Sequence, residues 1–364
     1  MRSQHKDRLV WIDLIRVTSA FLVIGSHATW QYEKSLPGTI PDSYWLYTHF
    51  IDNFARCAVP LFLMVSGYLI LRKSNSLKHG YFQRLLKIGV PLLFWSIVYL
   101  VGRRFTVGVD LMGNPVNFNN GIRCILTGKV SIHLWFLYAI MSLYIAAPIL
   151  HSYVKSASRE NKIYFLLLWG CACFLFPILN DVLKISFEIN NVNFTFYLIS
   201  ESVGFFVAGY FLGHIRVSAR MCLICAASFV FLALIITWVG FVLTDSNFVS
   251  NHSENARALL AHRFRIPLAL MAFVVLKYIG ETQFFRQPKL SVGITRFASL
   301  TFGIYLVHIL ALLAIKHGVP WLPLNIFSFD PWFSYPLTVG AAFFSSALTV
   351  WLLKKVPLSH WVLP

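Results

Sequence analysis

Asp13, Arg16 and His27 lie inside the apolar stretch Trp11–Trp30. An ionisable group at bilayer depth is costly and usually marks a functional site. Arg16 and His27 are eleven positions apart, which on an α-helix returns to within roughly 20° of one face, about 16 Å further along the axis. One face therefore carries a cation at one end and an imidazole at the other. Asp13 stands one turn before Arg16 and can neutralise it as an i, i+3 pair, so a structural salt bridge competes with ligand binding as the reading of that end. His27 has no such partner in its own helix, and imidazole is the side chain best suited to take a proton from a hydroxyl near neutral pH.

The elements that must hold these groups are membrane spans. Of 364 residues 57% are hydrophobic and 12% charged, with a mean hydropathy of +0.67, which excludes an ordinary soluble domain of this length. Apolar windows fall near 10–30, 50–71, 86–102, 134–150, 163–179, 194–213, 221–243, 264–280, 297–315 and 333–353. The expectation is an all-α polytopic membrane protein of about ten transmembrane helices, a single integral membrane domain over 1–364. The first run is long and charged and lacks a small-residue cleavage site, so it reads as a true span rather than a signal peptide.

The formal net charge is +17, yet the basic residues are spread over short loops, which argues against a nucleic-acid surface. Lys and Arg are richer in the N-terminus, 72–87, 151–162, 214–220, 277–296 and the C-terminus than in the alternate loops. That bias places both termini in the cytoplasm, and lets the basic loops meet anionic lipid. Residues 31–49, with turn signals at Pro37-Gly38, and 103–132 then read as outer loops. The six cysteines lie mostly in apolar windows and read as small core residues, with no metal implied.

With that topology, His27, Asp52, Arg56, Glu201 and His308 fall in the outer half of the membrane, and Arg16, Arg84 and Lys87 in the inner half or at its surface. Glu201 needs a cationic partner; Arg56 is the expected one and Arg265 the alternative. The sorting suits a protein that takes an anionic ligand from the cytoplasm and does proton chemistry near the outer face. No Gly-rich phosphate loop, zinc-ligand spacing or nucleophile elbow is present.

At these residues the chain resembles the acyltransferase-3 family of integral membrane acyltransferases. The family's first-span Arg, ten residues, then His is matched by Arg16 and His27. Its Pro-x-Phe-x-x-Ser-Gly-Phe/Tyr-Leu pattern is matched by Pro60, Phe62, Ser66, Gly67, Tyr68 and Leu69. The cytoplasmic Arg-x-x-Arg becomes Arg84-x-x-Lys87, which keeps the charge but loses one guanidinium fork. The His-x-Trp-Phe-Leu element is His133, Trp135, Phe136 and Leu137, and the late Ser-x-x-x-Tyr-Leu-x-His pattern is Thr301, Tyr305, Leu306 and His308, with Thr for Ser.

Within the family the architecture is similar to stand-alone surface-polysaccharide O-acetyltransferases of the enterobacterial common antigen type. The resemblance implies acetyl-CoA as cytoplasmic co-substrate, a lipid-linked or surface glycan hydroxyl as acceptor, and residence in a bacterial inner membrane. It points to His27 and His308 for catalysis, with His27 as general base or acyl carrier, and the depth of Glu201 in the outer half adds that carboxylate as a third catalytic candidate. Arg16, Arg84 and Lys87 fall to the donor and His133, Trp135 and Tyr305 to the acceptor, while Arg56 joins the acceptor side through its expected outer-half pair with Glu201. Two rivals stand beside this reading: a polytopic transporter of an anionic small molecule or glycan precursor, and a family member that moves succinyl or a longer acyl group.

Overall fold

The computed structural model describes residues 9–29, 40–72, 82–106, 117–175, 194–245, 253–317, 328–357 and 359–364, with the single positions 80, 108, 115, 178, 324 and 326. Among them the regular elements are helices. In chain order they are α1 (Val10–Thr29), α2 (Asp42–Ala55), α3 (Ala58–Leu71), α4 (Phe82–Thr106), α5 (Phe118–Thr127), α6 (Trp135–Ser156) and α7 (Arg159–Gly170). A π-turn at Cys171–Leu175 follows, then α8 (Phe194–His214), α9 (Ala219–Asp245), α10 (Ser253–Glu281), α11 (Gln283–Arg286), α12 (Pro288–Ala298), α13 (Thr301–His317) and α14 (Pro331–Leu353).

Among the described residues six helical segments are long and apolar enough to cross a membrane, or seven if α12 and α13, bent by 60°, count as one. Exposed Leu93, Ile97 and Phe105 on α4, Leu223, Phe231 and Trp238 on α9, and Phe344 and Trp351 on α14 turn apolar side chains outward. In water such surface would be an aggregation hazard; in a bilayer it is the solvent-facing side. The chain is a multi-pass, all-helical membrane protein.

Three expectations change. The 31–49 loop is shortened because α2 begins at Asp42, where the Pro41 carbonyl accepts from the Tyr44 and Trp45 amides; Pro37-Gly38 lies outside the described residues. The 103–132 loop contains α5, started by the Asn117 side chain accepting from the Asn120 amide and stopped by Gly128 in the left-handed region (φ 71), the favoured N-cap and C-terminal chemistries. Lys277 is no loop charge. It is buried within α10 and its Nζ donates to the carbonyls of Leu212, Gly213 and Ile215, satisfying orphan acceptors at the C-terminus of α8.

Helix α1 is the hub, packed against α2, α3, α10, α12, α13 and α14. Its Trp11, Ile15 and Val23 join the main core with Leu61, Met64, Phe206 and Phe273, while Ala20 and Ile24 join a second cluster with Ile304, Tyr335 and Phe343. The tightest packing is α3 on α8. A Cβ at Gly67 would stand 1.8 Å from the Phe206 carbonyl oxygen, and one at Gly209 would stand 2.0 Å from that of Met64. Backbones this close require glycine on both helices, the small-residue packing that membrane helices use.

Candidate active site

Three imidazoles from three parts of the chain meet beside α1. The His27 ring centroid lies 5.2 Å from His308 on α13 and 6.4 Å from His133, just before α6, and His133 and His308 are 5.0 Å apart. His133 and His308 are buried; His27 is half-buried. Hydrogen-bond partners at Nδ1 set the orientation of His308 and His133. His308 Nδ1 is 2.6 Å from the Tyr305 carbonyl, an acceptor only, so Nδ1 carries the proton and a neutral ring leaves a lone pair on Nε2. That Nε2 is buried without a hydrogen-bond partner, as is Nε2 of His133. His133 Nδ1 meets Ser131 Oγ at 3.1 Å.

Two tyrosines brace the cluster. The Tyr305 hydroxyl donates to the His133 carbonyl, and its ring is 5.5 Å from that of His133 and 5.9 Å from that of His308. Tyr99, on α4, donates to the Leu306 carbonyl at 2.8 Å and lays its ring 5.0 Å from His133. The group therefore ties α1, α4, the start of α6 and α13 together.

A cavity of about 360 Å³ leads towards this cluster, lined by Arg16, Arg84 and Lys87 together with Ser66, Phe136, Tyr144, Thr301 and Tyr305 among others. Arg84 and Lys87 stand in the first two turns of α4, where the positive end of the helix dipole adds to their charge. Arg16 keeps the expected contact with Asp13, but only at 3.8 Å, while Thr295 Oγ1 donates to Asp13 Oδ2 at 2.8 Å. Asp13 is thus shared with α12, and Arg16 turns into the cavity. The structural pair expected at this end is formed, and the same arginine stands in the cavity wall.

A model of the acyltransferase domain, acyltransferase-3 type, matches residues 9–353. The chain belongs to the acyltransferase-3 family. No curated protein and no solved structure matches it.

In this acyltransferase the expected residues divide into two groups. His27, His133, Tyr305 and His308 come together in the ring cluster, and Arg16, Arg84 and Lys87 in the cavity below it, with Tyr305 belonging to both. The pair expected between Glu201 and Arg56 is not formed. Glu201, on α8, is held by Arg265 of α10 through two bonds, Nε to Oε1 at 3.2 Å and Nη2 to Oε2 at 2.6 Å, and Arg56 bonds Asp52 one turn back at 2.5 Å. Residues one turn apart on a helix meet without cost in chain entropy, and this local option took Arg56. Asp52 also draws the Thr29 hydroxyl of α1, at 3.5 Å.

Trp135 packs against Phe136 and the core, and its neighbour Phe136 lines the cavity, 5.4 Å from the Tyr305 ring. Sequence reasoning passed over Ile140 and Tyr144, although Phe136, Ile140 and Tyr144 recur at four-residue spacing and so share one face of α6. Among the described residues no group of three or more His, Cys, Asp and Glu is placed to hold a metal ion.

Proposed function

We propose that the enzyme transfers acetyl from cytoplasmic acetyl-CoA to a hydroxyl of a surface or lipid-linked glycan, with about ten spans, both termini in the cytoplasm, in a bacterial inner membrane. The observation that supports this reading is Tyr305, which stands in the wall of a cavity that also holds Arg16, Arg84 and Lys87 and whose ring packs against His133 and His308 of the imidazole cluster. The phosphates of CoA bind Arg16, Arg84 and Lys87 by charge-assisted hydrogen bonds. The uncharged pantetheine arm runs between the walls formed by Phe62, Phe136 and Phe302 and brings the thioester to the histidines.

His27, the most accessible of the three, takes the proton of the acceptor hydroxyl as its oxygen attacks the thioester carbonyl. The C–O bond forms, the C–S bond breaks, and the imidazolium returns its proton to the departing thiolate. His308, with Nδ1 engaged and Nε2 open, is a second acceptor for that proton, and His133 and Tyr305 hold the acceptor against the pair. The glycan rather than another alcohol follows from the resemblance to stand-alone polysaccharide O-acetyltransferases.

The test is His27→Ala in the purified, membrane-reconstituted enzyme with acetyl-CoA and glycan extracted from producing cells. Loss of general base catalysis predicts about a 10²–10⁴-fold fall in rate at unchanged protein yield. Activity above half of wild type would remove His27 from the chemistry. Mass spectrometry of surface glycans with and without the intact gene reads the acyl mass and the acceptor; an unmodified glycan pool alongside altered export of an anion would favour a transporter.

A further inference from the structure

The stretch matched by the family model ends at residue 353, and the segment beyond it turns back on the donor cavity. After Leu353 the chain leaves α14 in a turn and reaches the short 3-10 helix Ser359–Trp361. The Val362 carbonyl accepts from Trp95 Nε1 of α4 at 3.1 Å, Leu363 is buried in the main core, and Pro364 stands in the cavity wall with Arg16, Arg84 and Lys87. At the other end of the segment Lys354 Nζ donates to the Ser299 carbonyl at 3.0 Å, in the break between α12 and α13, next to the cavity residues Thr301 and Phe302.

We infer that Lys354 and Val362–Pro364 complete the donor site, with Lys354 as a fourth cation for the phosphates of the acyl donor and Val362–Pro364 as the wall that holds the donor against α4. The inference rests on the reading of this cavity as a CoA site. Lys354 is partly buried beside Arg16, and both that burial and the neighbouring charge lower its pKa from the ordinary lysine value. Lys354 is not itself part of the cavity wall; its bond to Ser299 places it two residues from Thr301, which is, so its charge adds to the positive field of Arg16, Arg84 and Lys87 that a multiply charged anion would meet. The hydrogen bond to Ser299 fixes the stem of Lys354 at the helix break and leaves its other two N–H groups for a ligand.

The same chemistry could come from a lipid headgroup, so the experiment has two lipid arms. CoA binding is measured by calorimetry on the full chain in phosphatidylcholine nanodiscs, then with phosphatidylglycerol added. Removing one charge-assisted contact predicts roughly tenfold weaker CoA binding for Lys354→Gln in phosphatidylcholine, with Lys354→Arg staying within about threefold of wild type. Trp95→Phe, which releases Val362, is expected to raise the acetyl-CoA KM several-fold and leave the acceptor KM alone.

If Arg84→Ala weakens CoA binding and Lys354→Gln does not, the tail inference is wrong and the donor reading survives. A Lys354→Gln effect confined to the phosphatidylglycerol arm assigns the lysine to lipid and also overturns the inference. If wild type binds no CoA in either arm, the donor reading itself fails.

Discussion

Changing Glu201 and Arg265 singly and together separates a structural ion pair from a catalytic carboxylate. The guanidinium grips both carboxylate oxygens, at 3.2 and 2.6 Å, with side chains 15% and 4% exposed for Arg265 and Glu201. Removing one partner of a buried pair strands the other charge and costs about 3–5 kcal/mol, a shift of roughly two to three and a half decades in the folded-to-unfolded ratio. Glu201→Gln and Arg265→Met should each show that loss in a detergent-unfolding titration of the purified enzyme. Glu201→Met combined with Arg265→Met removes both charges and both desolvation costs, and should recover most of the stability. Because both carboxylate oxygens are committed to Arg265, the transfer rate per folded molecule of the double variant should stay within roughly threefold of wild type. A double variant that folds but is inactive would refute the structural assignment and return Glu201 to the chemistry. Single variants without a stability loss would refute the desolvation argument.

If the proposed donor site is right, Arg84→Ala should raise the KM for acetyl-CoA roughly tenfold, with acceptor use unchanged, through the loss of one charge-assisted phosphate contact; an effect on insertion alone would make the basic start of α4 a topology anchor. Lys277→Met leaves the carbonyls of Leu212, Gly213 and Ile215 without their donor and should destabilise by about 2–3 kcal/mol without moving either KM, read by the same unfolding titration. Gly67→Ala places a Cβ 1.8 Å from a backbone oxygen that cannot move aside, so the variant should fail to accumulate in the membrane, whereas Gly340→Ala on α14, with nothing within 4 Å, should accumulate normally.

Periodicity and charge carried much of this structure in advance. The Arg16–His27 spacing already implied one face with two chemistries, and hydropathy located the helical regions, because bilayer thickness is a coarse ruler that any long apolar run meets. Breaks within those regions were less legible. Hydropathy put most of α2 in the 31–49 loop and most of α12 in the basic 277–296 stretch, because Asp42, Asp52 and Asn53 in the one and Lys289 and Arg296 in the other lower the apolar average without saying whether the chain is helical there. Pairing of charges was legible only by depth. Glu201 and Arg56 were matched because each lay in the outer half, yet depth does not say which helix faces which, and Asp52 one turn from Arg56 was the nearer partner. The meeting of His27, His133 and His308 depends wholly on long-range packing, and without the family resemblance His133 would have read as one more residue at a membrane interface.

The bend between α12 and α13 explains how a single helix serves both ends of the site. Helix α1 fixes the separation of Arg16 and His27 at about 16 Å, because eleven residues of α-helix cannot be shortened without breaking their hydrogen bonds. The groups that serve each end must therefore arrive separately. Before the bend, α12 delivers Thr295 to Asp13, beside Arg16. After it, Thr301, Tyr305 and His308 recur at i, i+4 and i+7, a single stripe on α13, with Thr301 and Tyr305 in the cavity wall and His308 against His27. A straight helix through Ser299 would carry both halves along one axis, whereas the 60° turn lets each half meet α1 at its own level. The same break exposes the Ser299 carbonyl that Lys354 reaches. The cavity with Arg16, the histidine cluster and the Lys354 contact are thus coupled through one irregular joint, and a substitution that straightened it would disturb all three while leaving every charged residue in place.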